Sequence, residues 1–224
     1  MKTFLCIGAH PDDIEFSCTA TAYRLIQQGY KGRFVIMTNG ENGFKADHVP
    51  REERVAIRKE EQMEVARLMG IDDVILLDYQ DGFLQYTEEL RRQITTIIKD
   101  HRPQIVFSFD PANQEFDDIN LFHRDHRVAA QVVFDACFAA KNLWMYPGDS
   151  HRVSQLYFYG SNKPNHYEDI TDLIDQKMEW LTCHKSQFPD VTKLERFIKD
   201  ELSSGHPVYR YSEAFRVMPI RQIT

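Results

Sequence analysis

A histidine and two adjacent carboxylates form the segment HPDD at positions 10–13, directly after an apolar run. His10 and Asp13 lie on either side of a proline that restricts the turn, so both side chains can be aimed at one point. An imidazole nitrogen and a carboxylate oxygen are both ligands that zinc accepts. A catalytic zinc site needs three protein ligands, with the fourth position left for water, so a further donor is expected elsewhere in the chain.

The segment HRDH offers that further donor. Its two histidines, His123 and His126, stand at the predicted start of a helix. With one of them as the third ligand, Asp12 is left over beside the metal. Zinc lowers the pKa of a coordinated water to roughly 7, and a neighbouring carboxylate can then take the proton. Asp12 is therefore the predicted general base.

A purely structural interpretation of both segments stays open. HPDD can be a turn in which an aspartate caps the following helix, and Asp125 is favourable in the first turn of a helix. Both segments, however, follow strands of a predicted parallel sheet and so open on the same edge. Their combination favours the metal site over two unrelated helix caps.

The elements that position these residues alternate along the chain. Short, near-continuous apolar runs predict strands at 3–8, 33–38, 73–78, 104–109 and 155–160. Helices are predicted near 15–29, 51–69, 86–100 and 124–141, followed by helices near 170–185 and 190–203 and a final strand within 209–218. This order predicts an α/β fold: a three-layer, Rossmann-like, mostly parallel sheet with a C-terminal α+β extension. One domain over residues 1–224 is expected, with ligands at the carboxyl ends of the strands.

The second predicted helix has an apolar and a polar face. Its apolar positions are Val55, Ile57, Val65, Leu68 and Met69, and its polar positions include Arg51, Glu52, Arg58 and Glu61. Gly70 is the expected C-cap. The aromatic residues Trp144, Trp180 and 157–159 are expected in the core or at a subunit interface rather than in a sugar site.

Composition restricts the classes of partner. The 27 basic and 34 acidic residues give a formal net charge of −7, without a basic block, so nucleic acid is not expected as a partner. No apolar run approaches the ~18 residues of a membrane span. Four cysteines lie far apart, as is typical of buried thiols in a reducing compartment. A cytoplasmic protein is therefore expected.

Two segments are long enough to shape a site. Within GENGFKADH, after the second predicted strand, Glu41 and Asn42 are candidates to bind substrate hydroxyls, and the segment is either a lid or a solvated loop. After the fourth strand, Asp110, Asp117 and Asp118 do not have the spacing of an EF-hand. They are expected in a solvated loop at the rim of the site.

Five segments occur in an informative order: GAHPDDIE, TNGENG, IRKEEQMEVARLMGI, HRDH and DITDLIDQKMEWLTCHKSQ. Together they resemble the LmbE-like (PIG-L) family of zinc-dependent deacetylases, from residue 3 to about residue 188. The resemblance implies hydrolysis of the acetamide of an N-acetylglucosamine-type sugar or sugar conjugate, with zinc as the cofactor, and a homo-oligomer. The alternatives are a metal- or sugar-binding protein without turnover and a metal-dependent hydrolase of another bond.

The resemblance also implies roles for single residues. The implied zinc ligands are His10, Asp13 and His126, with Asp12 as the base. His123 is similar to a histidine that stabilises the oxyanion as an imidazolium, and Asp125 resembles a residue that orients an imidazole. Arg58 matches an arginine that holds substrate at the mouth of the site.

Overall fold

The computed structural model describes residues 2–44, 48–71, 73–113, 123–203 and 206–220. Its strands are β1 (Thr3–Gly8), β2 (Lys31–Thr38), β3 (Val74–Tyr79), β4 (Ile105–Phe109), β5 (Gln155–Tyr159), β6 (His166–Asp169) and β7 (Ser212–Pro219). Its α-helices are α1 (Asp13–Ser17), α2 (Thr19–Gln27), α3 (Arg51–Met69), α4 (Glu88–His101), α5 (Arg124–Ala140), α6 (Ile174–Thr182) and α7 (Val191–Ser203).

The strands of the described residues form one sheet in the order β3-β2-β1-β4-β5-β7-β6. The first five pair in parallel, whereas β7 runs antiparallel to both β5 and β6. This arrangement confirms the predicted Rossmann-like sheet with its C-terminal α+β extension. From β1, successive strands are added first on one side (β2, β3) and then on the other (β4, β5), so the strand order reverses between β1 and β4. Ligands of such sheets bind beside the carboxyl ends of the strands at that point.

Helices cover both faces of the sheet, which explains why the parallel strands are apolar almost throughout. Along β1, Phe4 and Cys6 pack into the core with α1, α2, α3, α6 and α7. Leu5 and Ile7 point to the opposite face and pack with α4 and α5. Because successive strand residues face opposite sides, both sets must be apolar when both sides are covered.

The first helical segment differs from its prediction. The expected single helix at 15–29 begins earlier, at Asp13, and is interrupted at Cys18, whose φ of −148° is not helical. The short edge strand β6 was not predicted. Among the described residues its four positions pair with β7 alone, so their strand character depends on a partner 43–49 residues later in sequence.

The two faces of α3 also differ from the prediction. Leu68, expected on the apolar face, is 43 % exposed, whereas Arg58, expected on the polar face, is only 2 % exposed. The buried guanidinium donates to polar groups that follow β1, so the inward face of α3 is partly polar. Trp144 is 90 % exposed and is not a core residue, whereas Trp180 is buried as expected. The Gly70 C-cap is confirmed by its φ of 74°.

A buried ion pair attaches the C-terminal extension to the N-terminal half. Glu213 on β7 accepts hydrogen bonds from the backbone N–H groups of Ala20 and Thr21 in the first turn of α2, at 3.1 and 2.8 Å. Lys177 on α6 donates to the same carboxylate at 2.6 Å, and both side chains are fully buried. The carboxylate therefore compensates a helix N-terminus and an ammonium group at once.

Cys6, Cys18 and Cys137 are buried and carry free thiols, as the sequence predicts, and Cys183 is half-buried. Within the described part of the chain, no helix has both the length and the apolar character needed to cross a membrane.

Candidate metal centre

The turn after β1 and the start of α5 meet at the carboxyl edge of the sheet. β1 and β4 are hydrogen-bonded neighbours, and their carboxyl ends lie where the sheet order reverses. Residues 10–13 leave β1 at this edge. His123 is the N-cap of α5, and His126 lies in the first turn of that helix. The two segments singled out in the sequence are thus brought together.

Three side chains converge on one point. His10 Nδ1 lies 3.2 Å from His126 Nε2, and His126 Nε2 lies 3.0 Å from Asp13 Oδ1. His10 Nδ1 is also 3.4 Å from Asp13 Oδ2. A tetrahedral zinc ion with bonds of ~2.0–2.1 Å separates its ligands by roughly 3.3 Å. The two imidazoles and the carboxylate therefore fit a zinc-sized ion in both chemistry and spacing.

The carboxylate of Asp13 is anchored on the side away from the imidazole of His126. Its Oδ2 accepts the backbone N–H groups of Ala9 at 2.8 Å and His10 at 2.7 Å. These bonds hold the carboxylate against the end of β1 and leave Oδ1 to face His126. The aspartate thus stabilises the turn after the strand as well as lining the candidate metal centre.

The other nitrogen of His10 is held by two aspartates. His10 Nε2 lies 3.1 Å from Asp81 Oδ1 and 3.4 Å from Asp125 Oδ2. Carboxylates only accept hydrogen bonds, so they favour the tautomer protonated at Nε2 and leave Nδ1 free as a ligand. Asp125 also accepts the N–H of Gly82 at 2.7 Å and is fully buried. It orients His10 and ties the loop after β3 to α5.

The charges of this cluster favour a cation. Burial lowers the pKa of His10, but Asp13, Asp125 and Asp81 outweigh that effect and raise the pKa well above its usual value. Burial likewise raises the pKa of Asp13, yet the imidazoles of His126 and His10 hold it well below its usual range. A site that stabilises positive charge on an imidazole also suits a divalent metal ion, which can replace the proton.

Asp12 lies beside this centre in an unusual backbone conformation. Its φ of 103° is positive, and its side chain makes no helix-capping hydrogen bond, contrary to the structural alternative in which it caps α1. Its Oδ2 accepts a hydrogen bond from Arg58 Nη2 at 3.1 Å. Burial raises the pKa of Asp12 despite the opposing charges of Arg58 and His184. A carboxylate of increased basicity next to the centre is suited to accept a proton.

His123 is oriented by the helix that it caps. Its Nδ1 accepts the backbone N–H of Asp125 at 3.2 Å, so the proton of the neutral ring is on Nε2. Burial, together with the charges of His10 and His126, lowers the pKa of His123. The neutral ring, rather than the imidazolium implied by the resemblance, is thus favoured near pH 7. A neutral Nε2–H can still donate a hydrogen bond to an oxyanion.

A cavity of about 400 Å³ opens above the centre. Its described lining residues are His10, Asp12, Asp13, Phe16, Asn42, Gly43, Arg58, Asp81, Gly82, His123, His126 and Gln187. Asn42 is thus placed where the sequence predicted substrate contact. Glu41 is not among the described lining residues, since its carboxylate is paired with Arg51 Nε at 2.5 Å. Arg58 reaches the cavity, and its Nη2 donates to the backbone oxygen of Pro11 and to Asp12.

The prediction that Asp110 belongs to a solvated loop is wrong. Asp110 is buried and binds the guanidinium of Arg216 on β7 through two hydrogen bonds, at 2.7 and 2.5 Å. The carboxylate that follows β4 therefore links the parallel strands to the C-terminal extension. Asp117 and Asp118 lie outside the described residues, as do residues 45–47 of the segment interpreted as a lid or solvated loop.

Sequence reasoning missed two residues at this centre. Asp81 follows the end of β3, so its position at a carboxyl strand end was the available signal. Phe109, the last residue of β4, stacks on His126 with ring centroids 4.0 Å apart and an interplanar angle of 16°. No motif indicated this contact, because a phenylalanine at the end of a strand is ordinary core composition. The stacked ring restricts the orientation of a candidate ligand.

The chain is similar to known proteins over most of its length. The family profile described as GlcNAc-PI de-N-acetylase (PIG-L) matches residues 5–137. The chain is 32 % identical to diacetylchitobiose deacetylase of Thermococcus kodakarensis, over 98 % of this chain and 84 % of that protein. It is 27 % identical to a probable N-acetyl-alpha-D-glucosaminyl L-malate deacetylase 2 of Bacillus anthracis, over 88 % and 86 % of the two chains.

A solved structure agrees over nearly the whole fold. N,N'-diacetylchitobiose deacetylase from Pyrococcus horikoshii superposes with a TM-score of 0.90 at 31 % identity, covering 97 % of this chain and 84 % of that chain. The profile match includes both the HPDD turn and the HRDH segment, which the fold brings together at the carboxyl edge of the sheet. On the profile, the identity and the shared fold, the chain belongs to the GlcNAc-PI de-N-acetylase (PIG-L) family.

Proposed function

We propose that this protein is a zinc-dependent hydrolase that removes the acetyl group from the nitrogen of an N-acetylglucosamine-type sugar or sugar conjugate. The observation that carries the proposal is the convergence of His10 Nδ1, His126 Nε2 and Asp13, with Asp12 beside them at the base of an open polar cavity. Relatives named as deacetylases of N-acetylated sugars support the choice of substrate class.

The ligands of the ion would be His10, Asp13 and His126. Zinc would act as a Lewis acid that lowers the pKa of a bound water to roughly 7 and polarises the amide carbonyl. Two imidazoles and one carboxylate are a usual donor set for catalytic zinc.

The remaining roles fall to side chains of this chain. The Asp12 carboxylate takes a proton from the attacking water and later delivers it to the amine nitrogen as the carbon–nitrogen bond breaks. The products are acetate and a free amine. His123 donates a hydrogen bond from Nε2 to the oxygen that gains negative charge. Asp81 and Asp125 keep His10 in its ligating orientation.

Substrate recognition is assigned to the polar rim of the cavity. Asn42 donates its side-chain amide to the carbonyl of Asp81 at 2.7 Å, and this bond fixes the loop after β2 against the loop after β3. Gln187 approaches this rim from the other side, within reach of Gly43. Amide and guanidinium groups are suited to sugar hydroxyls. A cytoplasmic location and a homo-oligomeric assembly stay predictions from the sequence.

Acetate release by purified protein reconstituted with zinc tests the proposal. N-acetylglucosamine, diacetylchitobiose and an N-acetylglucosaminyl malate conjugate form the substrate panel, with phosphoesters as the comparison for another bond. We expect acetate from at least one acetylated sugar and a loss of roughly 10²- to 10⁴-fold in kcat for Asp12→Asn at unchanged metal content. Asp190→Asn, at an exposed site, is the control. Zinc binding without acetate release would favour the binding protein, and phosphate release would favour the other hydrolase.

A further inference from the structure

The backbone of Asp12 is held in a conformation that ordinary residues avoid. Its φ of 103° and ψ of −24° place a side chain other than glycine in the left-handed half of the φ/ψ map. Such conformations are strained and persist only where surrounding contacts impose them. The contacts that impose this one are therefore part of how the Asp12 carboxylate reaches the cavity.

Two side chains of α3 bind the two ends of a single peptide unit. The carbonyl oxygen of Pro11 accepts a hydrogen bond from Arg58 Nη2. The N–H of Asp12, which belongs to the same peptide unit, donates to Gln62 Oε1 at 3.3 Å. Residues four apart on a helix share a face, so Arg58 and Gln62 can both reach this peptide unit, one at its C=O and the other at its N–H. The φ angle of Asp12 describes rotation about its N–Cα bond, between the Pro11–Asp12 peptide plane and the backbone that continues into α1. Holding this peptide plane in place relative to α1 therefore fixes φ.

The orientation of the Gln62 amide is set by Glu15. Gln62 Nε2 donates to Glu15 Oε1 at 2.8 Å. A carboxylate can only accept hydrogen bonds, so the NH₂ end of the amide must face Glu15 and the carbonyl end must face Asp12. Both side chains are fully buried, and Gln62 is not among the described residues that line the cavity. Its contacts thus lie with the backbone of Asp12 rather than with substrate.

We propose that Gln62, oriented by Glu15, is a positioning residue that holds the Pro11–Asp12 peptide so that the Asp12 carboxylate points into the cavity. The consequence for turnover rests on the proposed function, because it requires Asp12 to act as the base. The consequence for the backbone does not. Removing the acceptor leaves the part-buried N–H of Asp12 without its partner, and rotation of the peptide lets that N–H find another acceptor.

The first experiment is the crystal structure and steady-state kinetics of Gln62→Met, which keeps the length of the side chain and removes its polar atoms. We expect φ of Asp12 to leave the positive region and kcat to fall by roughly 10- to 100-fold, with KM within about 3-fold of the wild type, as for a displaced catalytic group. Lys177→Met is the matched control, because it removes a buried polar contact elsewhere and should lower stability while leaving kcat of the folded enzyme unchanged.

Exchanging the amide and the carboxylate between positions 62 and 15 should restore kcat. Gln62→Glu alone places two carboxylates against each other and should lower kcat. Combined with Glu15→Gln, the new amide at position 15 can donate to the new carboxylate at position 62, which still accepts the N–H of Asp12. We expect the double variant to recover at least about 10-fold in kcat over the single Gln62→Glu variant. The pair remains informative where Gln62→Met does not fold.

The two proposals fail in different ways. An Asp12 φ that stays near 103° in Gln62→Met, or a double variant no faster than Gln62→Glu, would overturn the positioning role. A wild-type protein that releases no acetate would overturn the proposed function, and the crystal structure of Gln62→Met would still decide the positioning role.

Discussion

The Nε2 atom of His10 lies 3.1 Å from Oδ1 of Asp81, a contact that joins the end of β1 to the loop after β3. Because this nitrogen is not the one that faces His126, Asp81 acts on the candidate metal centre through His10. The contact makes the orientation of a proposed metal ligand depend on a carboxylate about 70 residues away in sequence.

Asp81→Asn should weaken metal binding without abolishing it. Loss of a carboxylate that orients a ligating histidine typically costs 10- to 100-fold, so a zinc dissociation constant higher by about that factor is expected. Competition with a chromophoric chelator measures it. Asp78→Asn, at an exposed carboxylate near the end of the same strand, is the control. Equal affinities of Asp81→Asn and the wild type would contradict the role assigned to Asp81.

The two histidines of HRDH should separate metal binding from turnover. His126→Ala removes a proposed ligand, so metal content per chain should drop far below that of the wild type. His123→Ala should retain the metal and lose roughly 10²- to 10³-fold in kcat, the usual effect of removing one oxyanion donor. Elemental analysis and acetate release, measured on the same preparations, test both expectations. Full turnover by His123→Ala at full metal content would refute its assignment.

Lys177→Met should destabilise the fold by roughly 3–5 kcal/mol, because the variant leaves the fully buried carboxylate of Glu213 without its cationic partner. Urea denaturation followed by circular dichroism gives the free energy of unfolding. The double variant Lys177→Met/Glu213→Gln should be more stable than the single variant, since it no longer buries an unpaired charge. A single variant as stable as the wild type would show that the pair contributes little.

The Asp110–Arg216 pair should make stability depend on acidic pH. Burial raises the pKa of Asp110, but hydrogen bonds from Arg216, Ser161 and the backbone lower it below its ordinary value. The folded state therefore binds this proton less readily than the unfolded chain. The stabilisation is fully present above the unfolded pKa of about 3.9 and is lost as pH falls through the lower folded pKa.

Asp110→Asn should accordingly cost about 1–3 kcal/mol near pH 7, where the charged hydrogen bonds are intact. Its difference from the wild type should shrink as pH falls below about 4. Urea titrations across the pH range give this difference directly, with exposed Asp100→Asn as the reference. A difference independent of pH would mean that the carboxylate charge of Asp110 is not what stabilises the pair.

The amino-acid sequence by itself predicted the five parallel strands and most of the helices that cover them. Apolar runs and helical periodicity are local properties, and they suffice where both faces of a strand are buried. The sequence also predicted that HPDD and HRDH meet, because segments that follow parallel strands must emerge at one edge of the sheet.

Only the tertiary structure decided which side chains support that centre. Asp81 contacts His10, and Gln62 contacts the backbone of Asp12, across gaps in sequence that no periodicity encodes. Burial of Arg58 and Gln62 becomes favourable only once their distant partners are in place. The same reason explains Asp110, whose burial depends on Arg216 more than 100 residues later. Strand pattern and topology thus placed the chemical groups at one edge, whereas long-range hydrogen bonds and charges set their orientation.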